Sequence, residues 1–463
     1  MSHHPKTDET QLAAFACGLR RDAIPAAASD VVKRIVLAVC GTAIAGARED
    51  GCDALRALLV ERGGKPEATS FIHGDRLPAT SAAMLNGTVC RALDYCDAMV
   101  PGLHIGSSLV PAALAAAELR GGCSGREFVT ALVVGAELAS RLNRSEADYD
   151  GFDPTGVAGV FGATAAAGRI LQLDPARMRD ALALAFNRCG GSLQSNVDGS
   201  LAVRLIQGWV AESGLLCALL ARAGLSGPAR FLGGVYGYQH LYARDRGVVG
   251  EVGAALGEDF RLLGVVFKKY PSCGLTQGLT ELALQLAAQC PAERIRRIEV
   301  RLPPYAYKLV GHRFAVGANP RVDAQFSARY CVASALVRRT SKLSHFGPAA
   351  IDDPAVRALV ERVEVVADPA LDARGHTAVD LGIDDVDGMR HAAQLDLAPG
   401  FPGRPLTDAE HRQRFDDCLD YAAVPFPRAQ AAELLATIDA LDELEDVGRL
   451  VRLLVAPALR SPC

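Results

Sequence analysis

From the start of the chain to about Phe267, apolar positions recur every three to four residues, the spacing of helices with one buried face. Val31, Val32, Ile35, Val36 and Val39 make such a face, with Asp30 placed to cap it. Ser124 and Glu127 form a capping box ahead of Phe128–Arg141, and Asp174-Pro175 combines an N-cap with proline at the first helical position. Gly190-Gly191 stops that helix. A further helix is predicted over residues 203–223, closed by Gly224. No strand pattern interrupts this region.

After Lys268 the period changes. Ile298, Val300 and Leu302 alternate with charged residues, as do Val363 and Val365, and Val379 and Leu381. Alternation with period two predicts half-buried strands, and 327–338 between them reads as a helix. Helical spacing returns at Thr407, where Glu410 completes a second capping box, and continues through 431–441 and 447–455. The pattern predicts a mainly α fold. A large helical domain, 1–267, is completed by C-terminal helices, 404–463, with a smaller α+β domain, 268–403, inserted before them.

Composition narrows the picture. A chain of 463 residues is too long for one compact core. Half of it is apolar but only 6% aromatic, with 45 glycines, and small side chains suit closely packed helices. The net charge of −4, with both signs interspersed, leaves no footprint for nucleic acid. The N-terminus is polar and lacks the apolar core of a signal peptide, and stretches such as 128–142 fall short of a membrane span, so a soluble cytoplasmic protein is expected. Thirteen cysteines, none as C-x-x-C, suit reduced thiols better than a disulfide framework, and no Cys or His pair has zinc-ligand spacing. The glycines at 156, 159, 162 and 168 lack the spacing of a dinucleotide loop and point to close helix packing. Neither a metal nor a nucleotide cofactor is expected.

Three segments could carry chemistry. In the first, a helix ends near Asp94 and Asp97, Pro101-Gly102 makes a loop, and His104 precedes a helix capped by Ser107 or Ser108. An imidazole beside an acid and a helix N-terminus can remove a proton next to a bound carboxylate, although a loop histidine there also serves as a structural hydrogen-bonder. The second is Phe267-Lys-Lys-Tyr-Pro-Ser-Cys273, in which Lys268, Lys269 and Ser272 offer donors to a carboxylate, or form a solvated linker. The third is Arg204 in an apolar helix start, which needs an anionic partner from the protein or from a substrate.

The order of these segments resembles the MmgE/PrpD family. The resemblance rests on Asn86-Gly…Ala92-Leu-Asp-Tyr-x-Asp97…His104…Pro111-Ala-Ala-Leu, Gly135-Ala-Glu137, Asp153-Pro-Thr-Gly-Val-Ala-Gly, Gly224-Leu-Ser-Gly-Pro228, the Lys268–Cys273 run and Ala324-Gln-Phe-Ser327-x-x-Tyr330. It implies a homodimer with a helical domain and an α+β lid, and a site between them. It also implies metal-independent chemistry of three kinds: dehydration of 2-methylcitrate, decarboxylation of cis-aconitate or epimerisation of iminodisuccinate. Asp94, His104, Lys269 and Tyr330 match the family's active-site positions; His104, Asp94 and Tyr330 are the catalytic candidates, and Lys269, Lys268, Ser272, Arg204, Asp97 and Asp153 the candidate substrate contacts. The chain departs from the family where Val203 and Ile206 replace a Lys and a His, and Asp153 and Gln277 each replace a His. Ala98 replaces a hydroxyl residue. Fewer basic groups favour a substrate with fewer carboxylates. The expectation is a cofactor-independent lyase of the dehydratase type acting on a small hydroxylated di- or tricarboxylic acid. An isomerase, a decarboxylase and a non-catalytic binding protein are the alternatives.

Overall fold

The computed structural model describes residues 7–145, 148–149, 151–246 and 251–457. Helix makes up 57% and strand 10% of the chain, which makes the fold mainly α. Both predicted capping boxes form. Ser124 Oγ accepts from Glu127 N at 3.3 Å while the Glu127 carboxylate accepts from Ser124 N at 2.9 Å, starting helix Gly125–Leu142. Thr407 and Glu410 do the same for helix Asp408–Tyr421. Asp174 caps Pro175–Phe186 through Ala176 N and Arg177 N.

One helix starts earlier than its pattern predicts. It runs Ala26–Gly46, with Asp30 exposed inside its first turns rather than at its cap. The cause is Pro25 followed by three alanines, a stronger start than Asp30. Its buried face holds Val32, Ile35, Val36 and Val39 as predicted.

Helices Gly125–Leu142 and Val160–Ile170 cross at Gly135 and Gly162. A Cβ on Gly162 would stand 2.5 Å from Gly135 O, and one on Gly135 would stand 2.6 Å from Gly162 O. The glycine run therefore serves close helix packing. Helix Ala202–Arg222 is long and apolar enough by composition to cross a membrane. Here it packs on helices Ala79–Arg91, Val160–Ile170 and Pro175–Phe186, with Arg204 and Gln207 buried in its first turns.

A four-stranded sheet occupies the later part of the chain. Its spatial order is Val363–Ala367, Ile295–Leu302, Val379–Asp385, Arg390–Leu395. The first pair is parallel, with Ile298 opposite Val363, and the other two pairs are antiparallel, with Val300 opposite Leu381. The fourth strand alternates between half-buried and exposed positions, but its sequence shows little contrast because the inward set includes His391 and the outward set includes Ala392. Two pairs of two-residue strands interrupt the helical region, where none is predicted: Ala68–Thr69 with Arg76–Leu77, and Asp97–Ala98 with Val266–Phe267. Two residues are too few to display a period.

The buried apolar side chains fall into two main clusters. One runs from Leu12 to Phe267 and resumes from Leu406 to Ala456; the other runs from Cys273 to Ile383. Gln325, on the later segment, reaches the helical region, its Nε2 donating to Leu93 O at 2.7 Å and to Pro271 O at 2.9 Å.

Candidate active site

Helix Ala79–Arg91 ends in a loop that turns back at Asp94, whose φ of 52° lies in the left-handed region that aspartate tolerates. The chain then forms the short strand Asp97–Ala98 and reaches His104, two residues before helix Gly106–Arg120. Asp97 is fully buried, and its carboxylate accepts from Ile105 N and Gly106 N, each at 3.0 Å. It thus caps that helix from eight residues upstream. Gly106 is required there, because a Cβ would lie 2.3 Å from Asp97 Oδ1. The Asp97 carbonyl accepts from His104 Nδ1 at 2.7 Å, and His104 N donates to Thr155 Oγ1 at 3.1 Å. With its proton on Nδ1, the ring turns the Nε2 lone pair toward Arg91 Nη2, 3.3 Å away.

Arg91, Asp94 and Lys268 complete the cluster. The pairing of strand Asp97–Ala98 with Val266–Phe267 delivers Lys268, which is 2% exposed. Its Nζ lies 2.8 Å from Asp94 Oδ1 and donates to Asp94 O at 2.9 Å. Arg91 Nη1 donates to the same Oδ1. Burial works to raise the Asp94 pKa, but the charges of Arg91 and then Lys268 outweigh it and hold the carboxyl well below the usual carboxylate range. The imidazole shifts down too. Burial, then the positive charges of Arg91 and Lys268, hold His104 well below its ordinary 6.5, so it is neutral at neutral pH.

These four side chains form one wall of a cavity of about 330 Å³ between the two apolar clusters. Its other walls are mostly apolar: Met99, Val266, Leu275, Leu309, Phe326 and Phe401. Of the predicted site residues, Asp94, His104 and Lys268 are brought together here.

The others lie elsewhere. Lys269 points away and pairs with Glu281 and Glu410, each at 3.1 Å. Tyr330 is fully buried against Phe314 and Phe346, and its hydroxyl donates to the carbonyls of His345 and Ala350. Ser272 Oγ is bonded to Thr276 Oγ1 at 2.7 Å. Arg204 donates to Asp50 O at 2.6 Å and faces Glu49, so its anionic partner is a protein carboxylate. Asp97 and Asp153 both act as caps, the latter accepting from Thr155 N at 2.8 Å. Of the departures from the family pattern, Ala98 lines the cavity, whereas Val203, Ile206, Asp153 and Gln277 do not. Gln277 instead holds the 270–273 turn, accepting from Tyr270 N and donating to Tyr270 O.

Arg91 is the member that reading the sequence passed over. Its signal was present: a single arginine between Cys90 and Ala92 at the end of a helix of small and apolar residues, three before Asp94. Among the described residues, no three His, Cys, Asp or Glu side chains converge as a metal site would require.

The class is thus a mainly helical protein that holds a cation–carboxylate–imidazole cluster on one wall of a cavity between its two main apolar clusters. The chain belongs to the MmgE/PrpD family: residues 10–250 match the MmgE/PrpD N-terminal domain and residues 270–442 the C-terminal domain. It is 26% identical to a cis-aconitate decarboxylase of Mus musculus, over 83% of this chain and 80% of that one. It is 28% identical to the cis-aconitate decarboxylase-like protein oryM of Aspergillus oryzae, over 81% and 82%. A cis-aconitate decarboxylase of Aspergillus terreus is 26% identical over 98% of this chain and 96% of its own length.

Proposed function

We propose that this protein is a cofactor-independent lyase that removes a proton beside a carboxylate and expels water from a small hydroxylated acid. The observation that carries the reading is the His104 imidazole set beside the Arg91–Asp94–Lys268 cluster on one cavity wall. Arg91 and Lys268 supply donors for a substrate carboxylate, and Asp94 fixes both. A carboxylate bound there offsets the positive charges that depress His104, so binding the substrate strengthens the base. His104 Nε2 takes the proton from the carbon next to the carboxylate. The C–H electron pair becomes the double bond as the C–O bond breaks, and the imidazolium passes its proton to the leaving hydroxyl, which departs as water.

Decarboxylation is the second reading, supported by the names of the relatives. The cluster argues for the first, because paired cations stabilise a carboxylate that is retained more than one that is losing its charge. The test is to incubate the protein with 2- and 3-hydroxy acids in deuterated water and follow the products. Alkene and water support the dehydratase, and carbon dioxide supports the decarboxylase. Deuterium exchange alone supports an isomerase, and saturable binding without product a binding protein. His104→Ala should lower turnover about 10²–10⁴-fold, the usual contribution of acid–base catalysis. Turnover near wild type would remove His104 from the mechanism.

A further inference from the structure

The charge on the cavity wall limits what the cavity can hold. Arg91 and Lys268 are the only arginine and lysine among the described lining residues, and both contact the Asp94 carboxylate. Two cations and one anion leave a single positive charge, since the ring of His104 is uncharged. One carboxylate brings the wall to neutrality.

A second carboxylate finds no further Arg or Lys among the described lining residues, where Tyr149, Asn196, Tyr305, His312 and His376 are the remaining side-chain donors. On leaving the charged wall it would face Met99, Val266, Leu275, Leu309, Phe326 or Phe401. Toward the far side stand the rings of Tyr305 and His376, 5.6 Å apart, and Asp323, whose carboxylate accepts from Gly317 N at 2.6 Å. That acid repels an anion rather than receiving one. Burying an unpaired charge is unfavourable, whereas an alkyl or aryl group of the same reach gains from the same walls.

We infer that the ligand of this cavity is a monocarboxylate whose remaining body is uncharged and largely apolar, and that di- and tricarboxylates are excluded. The inference rests on the reading of this cavity as the substrate site, and it departs from the di- or tricarboxylic acid that the sequence suggests. The carboxylate sits on the Arg91–Lys268 wall and the apolar body fills the space lined by Leu275, Leu309 and Phe326.

Calorimetric titration of the full-length protein with three six-carbon probes tests it without requiring turnover. Hexanoate carries one carboxylate, adipate adds a second at the far end, and hexanamide has none. Hexanoate should bind at least ~10-fold more tightly than either of the others, since each ~1.4 kcal/mol is a factor of ten. Leu275→Lys, which places a cation on the apolar wall, should narrow or reverse the preference over adipate. Lys268→Met should abolish the preference for hexanoate over hexanamide. Adipate or cis-aconitate binding as tightly as hexanoate overturns the inference, and so does the absence of hexanoate binding. The lyase reading fails separately. Hexanoate binding with no turnover of any hydroxy monocarboxylic acid removes the lyase and leaves the ligand class standing. Turnover of a hydroxy dicarboxylic acid does the reverse.

Discussion

Histidines held neutral inside the fold give the protein a dependence on pH apart from any chemistry. A second histidine, His411, is buried with neither ring nitrogen hydrogen-bonded, set edge-on to Phe267 at 4.9 Å. Burial and then Arg414 push its pKa down to about 4, and burial and then Arg338 do the same for His345. A folded-state pKa below the unfolded value means that, between the two, the unfolded chain binds protons that the folded chain refuses. Stability therefore rises with pH across that window and falls as acid is added. The window opens near the unperturbed imidazole value, ~6.5, and extends down to about 4 for His345 and His411. Melting temperatures measured from pH 8 to pH 4.5 should be flat at first and then drop steadily below about pH 6.5, and His411→Phe should flatten the drop. A melting temperature that holds level to pH 4.5 would mean these imidazoles are protonated in the folded protein. At this scale the sequence was legible for His104 and Asp94, which sit in one short segment whose spacing states their relation. It does not show that Lys268 rather than Lys269 lines the cavity, because adjacency in sequence does not say which of two neighbouring lysines points inward, nor that Tyr330 packs within the later apolar cluster, which tertiary contacts decide.

Among the elements, the loop between helices Ala79–Arg91 and Gly106–Arg120 does two jobs with one residue. The Asp97 carboxylate caps the second helix while its carbonyl fixes the His104 tautomer. Asp97→Ala leaves two buried N–H groups without acceptors, and each costs about 1–3 kcal/mol. The variant should melt at lower temperature and lose activity beyond what its remaining folded fraction explains, because the loop carrying the imidazole is freed. Circular dichroism against temperature, read beside turnover per folded molecule, separates the two effects. Turnover unchanged per folded molecule would show that Asp97 supports the helix alone. The helices themselves were readable from their caps and faces, since Ser124–Glu127 and Thr407–Glu410 are local signals. The strand pair Asp97–Ala98 with Val266–Phe267 was not, because its reason is tertiary: it joins segments that no local pattern links.

For the whole molecule, helix Ala202–Arg222 leaves Trp209 43% exposed and Leu216 37% exposed, seven residues apart on one face. We propose a second copy of the chain as their cover, giving a symmetric dimer. Trp209 is the only tryptophan in the chain, so its emission should shift to the blue as the concentration rises through the dimer's range. Trp209→Glu should sediment as a monomer. A wild-type protein that sediments as a monomer at micromolar concentration would exclude the dimer.

The cluster around Asp94 is also a clock for folding. Asp94 and Lys268 stand 174 residues apart, and two later segments finish the work: Gly400 O accepts from Phe267 N at 3.0 Å, and Arg414 donates to Tyr95 O at 2.7 Å. Local helices can form early, but contacts across such separations wait for loops to close, and proteins rich in them fold slowly. Refolding from denaturant should restore helical circular dichroism before catalytic activity, with a measurable lag between the two. A nascent chain still missing residues beyond about 400 can hold most of its helices and none of its finished site. Simultaneous recovery of both signals would mean that the long-range closure precedes the helices.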